Sequence, residues 1–413
     1  GRLAEIIAGF CLSLDLSTAS AMASGQFAAA HDRLGRNRPI KWFTLNDLTP
    51  EFFHRGFKRT YDDQDITITN VEVTEMEVGS SIITELTSRK VEKVVGLLPR
   101  KIHYRRSDGT EGADDVVVKV KPTDTEVIHV ANTVAQMCGG KLASAHDKNK
   151  HRIGLTECHN RELGVYKQTD PRFQKYVPKI YDCHTDAERE AYVVVMEDLS
   201  HLELMNTADD ISGWTDEHLR AAIEGIADIH GLTLGKEDMM RMMPWMGHIM
   251  STEDMVEMTP LWRALITHAG QEFPEWFQEE DVDGCRRVIE RVDCWYKEME
   301  QMPRCLVHND FNPRNIGFRR DGDELTLCAY DWELATINIP QRDLVELLAF
   351  TMNDSVTAEE IDTYVEFHRV CLEKSSGESI DPKTWRRGYI LALHEFSINR
   401  VCMYLMAHTF RNY

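Results

Sequence analysis

The residues best suited to chemistry form a polar loop and a strand end downstream of it. The loop, residues 306–315, reads LVHNDFNPRN, and residues 330–333 read YDWE. Asp310 lies five residues before Asn315, and Asp331 lies sixteen residues after Asn315. Phosphoryl transfer needs one carboxylate near the acceptor hydroxyl, together with an amide and a second carboxylate that hold magnesium on the phosphates. The combined spacing therefore predicts a magnesium-dependent phosphotransfer site.

A simpler interpretation is a polar loop with an Asx turn before a surface hairpin. For His308 or Asp310 alone, that interpretation is the better one. The full set of residues at this spacing favours the phosphotransfer site.

A second set of charged residues lies upstream. Residues 116–121 read VVVKVK, a predicted strand that offers Lys119 for the phosphates of a nucleotide, with Lys121 as the alternative. Both lysines lie on the same face of a strand, so alternation does not separate them. Glu162, in a predicted helix, could hold the chosen lysine by an ion pair. Such charges are usually only solvated, and their order along the chain is what indicates a shared site.

The elements that must position these residues follow two periodicities. Short runs of alternating apolar and polar residues between residues 66 and 120 predict strands, and a turn at residues 107–109 predicts a hairpin. From Glu217 onward, apolar residues recur mostly at helical spacing, apart from a strand pair around residues 316–330. The sequence therefore predicts an α+β chain in two lobes.

The boundaries follow from these changes of pattern. We place the β-rich N lobe at residues 66–198 and the mostly helical C lobe at residues 199–413. Residues 1–40 read as a helical segment, and residues 41–65 as a linker. The chain begins without methionine and without the layout of a signal peptide, which favours a fragment of a longer protein.

Composition argues against several classes of partner. The 47 basic and 68 acidic residues give a net charge of −21, which disfavours a nucleic-acid groove or an anionic membrane surface. No apolar run approaches the roughly 18 to 20 residues of a membrane helix. The ten cysteines show no zinc-ligand spacing, so we expect reduced thiols in a cytoplasmic protein.

At His308, Asp310, Asn315 and Asp331 the sequence resembles the aminoglycoside phosphotransferase and choline kinase superfamily, whose loop reads His-x-Asp-x-x-x-x-Asn. The resemblance implies a two-lobed protein-kinase-like fold with ATP and Mg²⁺ as cofactors and a small-molecule alcohol as substrate. It assigns Asp310 as the base or orienter of the attacking hydroxyl, Asn315 and Asp331 as metal ligands, and His308 as a buried support.

The branch of this superfamily stays open. The His-Asn-Asp opening is similar to choline and ethanolamine kinases, whereas Pro340 and the following Asp343-Leu344 are similar to the aminoglycoside and ecdysteroid-kinase-like branches. The strand that ends in Glu197-Asp198-Leu199 resembles the connector between lobes, which implies that Glu197 and Leu199 bind the adenine edge through their backbone. No complete glycine loop is present, and residues 79–81 are the candidate for that turn.

Residues 1–40 resemble the C-terminal helices of hydroxymethylglutaryl-coenzyme A reductase, with His31 in the place of that family's proton donor. This resemblance implies a fusion in which the remaining catalytic residues of the reductase precede Gly1. Two alternatives to an active kinase follow: a catalytically quiet kinase-like module that regulates the reductase, or a chain whose main activity is the upstream NADPH-dependent reductase. The sequence identifies neither the phosphate acceptor nor the oligomeric state.

Overall fold

The computed structural model describes residues 40–74 and 93–410, together with residues 2–3, 7–10 and 13. The predicted reductase-like histidine, His31, and the predicted phosphate-covering turn at residues 79–81 lie outside the described residues. Both therefore stay predictions.

The N-terminal part of the described chain is built on one antiparallel sheet of five strands, with the order β1-β2-β3-β5-β4. In chain order the strands are Thr67–Val73, Gly96–Arg105, Glu111–Val120, Ile180–Asp186 and Ala191–Glu197. The predicted hairpin is confirmed, since Arg105 pairs with Glu111 across the turn. Gly109 makes this turn possible because its φ of +85° is unfavourable for residues with a side chain.

The alternation of β3 directs its residues to two different layers. Val116, Val118 and Val120 pack with the helix Pro50–Tyr61 (α1) on one face of the sheet. Val117 joins the larger core on the other face, and the two following residues of this register, Lys119 and Lys121, share that face. Both lysines are therefore directed toward the helical part of the chain.

Helix α1 corrects the interpretation of residues 41–65 as a linker. It buries Phe53 and Phe57 against the sheet, and Arg55 donates to Asp182 of β4 at 2.7 Å. Residues 41–65 read as a linker because the alternating strands that mark the N lobe begin only after them. The helical spacing of Phe53, Gly56 and Phe57, just after Pro50 at the first helical position, was the available signal.

The rest of the described chain is mostly helical, and with the sheet it confirms the predicted α+β class. Helices α2 to α15 are, in chain order, Asp124–Cys138, Gly140–Asn149, Cys158–Tyr166, Pro171–Gln174, Asp216–Thr233, Glu237–Arg241, Thr252–Glu257, Thr259–Glu272, Glu279–Glu290, Val292–Glu300, Gln341–Thr351, Ala358–Ser376, Pro382–Glu395 and Cys402–His408. A π-helical segment, Phe396–Val401, joins the last two. None of the described helices has the length and apolar character needed to cross a membrane.

Four short strands hold the polar loop among these helices. Strand β6 (Cys305–Val307) precedes the loop and pairs with β9 (Thr336–Asn338). Strands β7 (Ile316–Asp321) and β8 (Glu324–Ala329) form the predicted hairpin after it. The buried strand β6 therefore fixes where the loop begins, and the hairpin returns the chain to the loop at residue 330.

Helix α4 (Cys158–Tyr166) packs against the sheet and against the turn Trp332–Leu334 that follows this hairpin, and eight of its nine residues are buried. Its close packing depends on Gly164, where a Cβ atom would collide with the indole ring of Trp245. The glycine therefore lets the segment that contains Trp245 approach the helix that carries Glu162.

Replacing Gly164 with alanine should lower the free energy of unfolding by about 1 to 3 kcal/mol, because the added methyl group overpacks this contact. Urea unfolding measures the change. Gly284→Ala, in α10, is the matched control, since its Cβ would meet only Arg287 Nη2 at 3.9 Å. The control should gain about 0.5 to 1 kcal/mol from helix propensity. A similar shift for both variants would contradict the role of Gly164.

Candidate active site

Five charged side chains converge between the sheet and the polar loop. Lys119 Nζ lies 3.0 Å from Oε1 of Glu162 and 2.6 Å from Oδ1 of Asp331. Lys121 Nζ lies 2.5 Å from Oε2 of Glu162 and 2.7 Å from Oε2 of Glu333. Glu162 therefore bridges both lysines that the sequence analysis could not separate.

The surroundings of the two lysines differ. The side chain of Lys121 is 1% exposed and that of Lys119 is 14% exposed. Lys119 also contacts Asp331, the predicted metal ligand, whereas Lys121 contacts Glu333. Lys119 is thus the more accessible of the two lysines, and Lys121 is buried between Glu162 and Glu333.

Asp331 has an unusual backbone conformation and a lowered pKa. Its φ of +63° places it in the left-handed region, which Asp and Asn tolerate better than most residues. Its amide donates to Tyr166 Oη of α4 at 3.2 Å. Burial by itself raises the pKa of Asp331, but the charges of Lys119 and Lys121 outweigh that effect and lower the pKa to about 2. Asp331 is therefore ionised at neutral pH.

The polar loop brings Asp310 and Asn315 together. Asn315 Nδ2 donates to the carbonyl oxygen of Asp310 at 2.9 Å and to its Oδ2 at 2.7 Å. The Asn315 carbonyl accepts from the amide of Tyr330 at 3.0 Å. The loop and the strand end before Asp331 are thus joined directly.

His308 connects this loop to the strand end before Asp331. It is fully buried, its Nε2 lies 2.9 Å from the carbonyl oxygen of Tyr330, and its ring lies 4.4 Å from that of Trp332. These contacts tie the loop to the strand end rather than direct the imidazole at a substrate.

Asp343, at the start of α12, binds the backbone of the loop. Its carboxylate accepts from the amides of His308 at 2.7 Å and Asn309 at 2.8 Å, and His230 Nε2 lies 3.0 Å away. Burial raises the pKa of Asp343, but the hydrogen bond and charge of His230 outweigh it and hold the pKa below its usual value. The ionised carboxylate satisfies two loop amides that would otherwise be buried without partners.

Asp310 is enclosed by side chains from α12 and α15. Tyr404 Oη lies 2.7 Å from Oδ1 of Asp310 and 2.7 Å from Oε1 of Glu346. Burial first, and the charge of Glu346 second, raise the pKa of Asp310 to about 6. At neutral pH the carboxylate form still predominates and can accept a proton from a hydroxyl group.

The donor set fits a magnesium ion. Oxygens of Glu162, Asp331 and Glu333 lie within 4.8 Å of one another, and Mg²⁺ prefers oxygen ligands. Glu162 is committed to two lysines, but Oδ2 of Asp331 accepts no hydrogen bond from any described residue. The same holds for Oδ1 of Asn315, whose amide nitrogen faces Asp310. Asp331 and Asn315 are therefore the residues that would hold the ion.

The predicted adenine contacts are partly available. The amide of Glu197 is used by the carbonyl oxygen of Lys179 at 3.0 Å, and its carboxylate pairs with Arg319 of β7. Glu197 thus ties the sheet to the hairpin. The amide of Leu199, by contrast, makes no hydrogen bond with the described part of the chain, so it is free to donate to a purine edge.

Comparison with protein families identifies the family of this chain. A model of the ecdysteroid kinase-like family matches residues 123–375, which is more than half of the chain. The chain belongs to the ecdysteroid kinase-like family. A search of curated proteins found no match to this chain.

Solved kinases are similar to this ecdysteroid kinase-like chain at low identity. An aminoglycoside phosphotransferase of Streptomyces rimosus, in complex with ADP and streptomycin, is 15% identical with a TM-score of 0.40, over 72% of this chain and 90% of that one. Choline kinase of Streptococcus pneumoniae is 12% identical with a TM-score of 0.35, over 84% and 92%. Ethanolamine kinase of Plasmodium vivax is 12% identical with a TM-score of 0.40, over 82% and 84%.

The part that matches the ecdysteroid kinase-like family carries the polar loop and Glu162, but Lys119 precedes it. Arg400 and Tyr404, which follow the matched part, were missed by the sequence analysis. Residues 341–348 carried a detectable signal, because three charged residues, among them Glu346, interrupt an apolar helical run. A helix that buries charges needs partners for them.

Acid should weaken the support under this loop. His368 of α13 is fully buried, and neither ring nitrogen has a hydrogen-bond partner among the described residues. It faces His230, Asp343 and Trp385. Burial, aided by His230 and opposed by Asp343, holds the pKa of His368 well below its usual value.

The unfolded chain protonates this histidine below a pKa of about 6.5, so the stability it contributes is present above that pH and is lost as the pH falls. The loss is at most about 1.4 kcal/mol per pH unit for one proton. Urea unfolding at pH 7.5, 6.5 and 5.5 should show a shallower decline for His368→Leu than for the wild type. His129→Leu, on an exposed part of α2, is the control, and an equal decline in all three proteins would contradict the expectation.

Proposed function

We propose that this chain is an ATP- and magnesium-dependent kinase that transfers the γ-phosphate of ATP to a hydroxyl group of a small molecule. The observation that carries the proposal is the convergence of Lys119, Glu162 and Asp331 beside the Asp310–Asn315 pair. A base, an amide, a metal-binding carboxylate and a paired lysine are the parts that phosphoryl transfer uses. Membership of the ecdysteroid kinase-like family supports the same class of reaction.

Each residue has a task that its surroundings allow. Lys119 binds phosphate oxygens, and Glu162 keeps its ammonium group in place. Asp310 orients the acceptor hydroxyl and takes its proton as the oxygen attacks the γ-phosphorus and the bond to ADP breaks. Magnesium, when bound at Asp331 and Asn315, supplies charge that neutralises the phosphates. The free amide of Leu199 binds the base of the nucleotide.

A fusion with a reductase remains a separate proposal. Its only basis is the resemblance of residues 1–40, including His31, to the reductase helices, and the match to the ecdysteroid kinase-like family does not bear on it. A catalytically quiet module would be expected to lack at least one charged position of the site, and every such position named above is filled.

Nucleotide binding should raise the unfolding temperature only when ATP and magnesium are both present, since a ligand that binds only the folded state stabilises it. At 100 times the dissociation constant the gain is about 2.7 kcal/mol. Asp331→Asn should abolish the rise, and asparagine keeps the left-handed backbone that alanine would strain. Asp293→Asn, at an exposed position of α11, should behave as the wild type. No rise in the wild type at millimolar MgATP would refute the proposal.

Replacing Lys119 should affect MgATP binding, whereas replacing Lys121 should affect the stability of the fold. Lys119→Met should remove most of the MgATP-dependent rise while the ligand-free protein keeps most of its stability, because Lys121 still neutralises Glu162. Lys121→Met should lower the free energy of unfolding by about 3 kcal/mol, since it leaves buried carboxylates with too few partners. Urea unfolding and thermal unfolding with MgATP separate the two effects. The reverse pattern would make Lys121 the phosphate-binding lysine.

A further inference from the structure

The last helices of the described chain direct three side chains at the catalytic loop and its support. Glu395 ends α14 and pairs with Arg342 of α12, Nε to Oε2, at 3.0 Å. Arg400 Nη2 donates to the carbonyl oxygen of Asn309 at 2.7 Å, and Tyr404 contacts Asp310. None of these three lies in the part that matches the family model.

The π-helical segment Phe396–Val401 makes this alignment possible. Glu395 and Arg400 are five residues apart, and a turn with i→i+5 hydrogen bonds brings residues at that spacing to nearly the same face. Arg400 and Tyr404 are four residues apart and share a face by ordinary helical geometry. A π-segment inside a helix is found frequently at functional sites.

Both carboxylate oxygens of Asp310 accept hydrogen bonds. Oδ2 accepts from Asn315 Nδ2 at 2.7 Å. Oδ1 accepts from Tyr404 Oη at 2.7 Å and from Asn312 Nδ2 at 3.2 Å. Of these donors, only Tyr404 comes from outside the loop itself.

The hydroxyl of Tyr404 also lies close to a second buried carboxylate. It lies 2.7 Å from Oε1 of Glu346, whose Oε2 accepts from Arg342 Nη1 at 2.7 Å. Glu346 and Arg342 are at most 1% exposed, and the Arg342 guanidinium lies 5.0 Å from the ring of Phe396. The hydroxyl carries one proton and donates to one carboxylate at a time; because Arg342 already compensates the charge of Glu346, donation to Asp310 is favoured.

We propose that Tyr404 is a positioning residue for phosphotransfer, because its hydroxyl fixes the carboxylate of Asp310 in the orientation that meets the acceptor. Arg400 assists by holding the carbonyl oxygen of Asn309, whose φ of +62° sets the direction of the next residue. This inference rests on the proposed function. It goes beyond that function by assigning a catalytic contribution to a helix outside the family-matched part.

The test uses MgATP alone, with water as the acceptor. In this hydrolysis a water oxygen bonds to the γ-phosphorus, the bond to the β–γ bridging oxygen breaks, the water proton passes to Asp310 and on to solvent, and ADP and phosphate leave. Tyr404→Phe keeps the ring, which packs 5.5 Å from Phe350, and removes only the hydroxyl. We expect kcat to fall roughly 10- to 100-fold, with KM for ATP and the MgATP-dependent rise in unfolding temperature unchanged.

Tyr364→Phe is the matched control, since it removes a hydrogen bond of 2.9 Å to Asp216 far from the loop in sequence, and it should keep the wild-type kcat. Asp310→Ala gives the rate of ATP hydrolysis without the base.

A Tyr404→Phe protein with wild-type kcat would overturn the positioning role and leave the kinase proposal intact. So would loss of the MgATP-dependent rise in that variant, since the hydroxyl would then act through folding or binding. A wild type that binds MgATP but hydrolyses it no faster than Asp310→Ala also overturns the inference, and a wild type that does not bind MgATP overturns the kinase proposal with it.

Discussion

The structure depends on keeping several charges together in a place with little water. Lys119, Lys121, Glu162, Asp331 and Glu333 carry two positive and three negative charges in one cluster. Removing a charge from water costs several kcal/mol unless a partner and hydrogen bonds compensate it. The cluster satisfies this condition only when the sheet, helix α4 and the end of β8 meet, and this requirement couples the two lobes.

The packing around the cluster follows from the same requirement. Glycine at position 164 lets Trp245 lie directly on α4, and Arg161 of that helix donates to the carbonyl oxygen of Glu333 at 3.3 Å. Tyr166, one turn further on, accepts from the amide of Asp331. One short helix therefore fixes the backbone around Asp331 and supplies the carboxylate, Glu162, that pairs with Lys119.

Local patterns in the sequence predicted the polar loop, the hairpins and most of the helices, because their signals lie within a few residues of one another. The pairing of Lys119 with Asp331 spans 212 residues, and no periodicity contains such a contact. The same limit hid Tyr404, which stands 94 residues after Asp310. Alternation correctly placed Lys119 and Lys121 on one face of the strand. Their shared contact with Glu162 is a tertiary contact, which alternation does not predict.

Asn309 shows how a backbone requirement can be mistaken for a mark of substrate. Its left-handed φ, and the 3.0 Å hydrogen bond from its Nδ2 to the carbonyl oxygen of Leu334, explain why asparagine suits the position between His308 and Asp310. Glycine would suit the same conformation for steric reasons. The His-Asn-Asp opening that made this loop similar to choline and ethanolamine kinases thus reports on the turn of the chain. The residue at position 309 therefore does not indicate which alcohol a kinase of this kind phosphorylates.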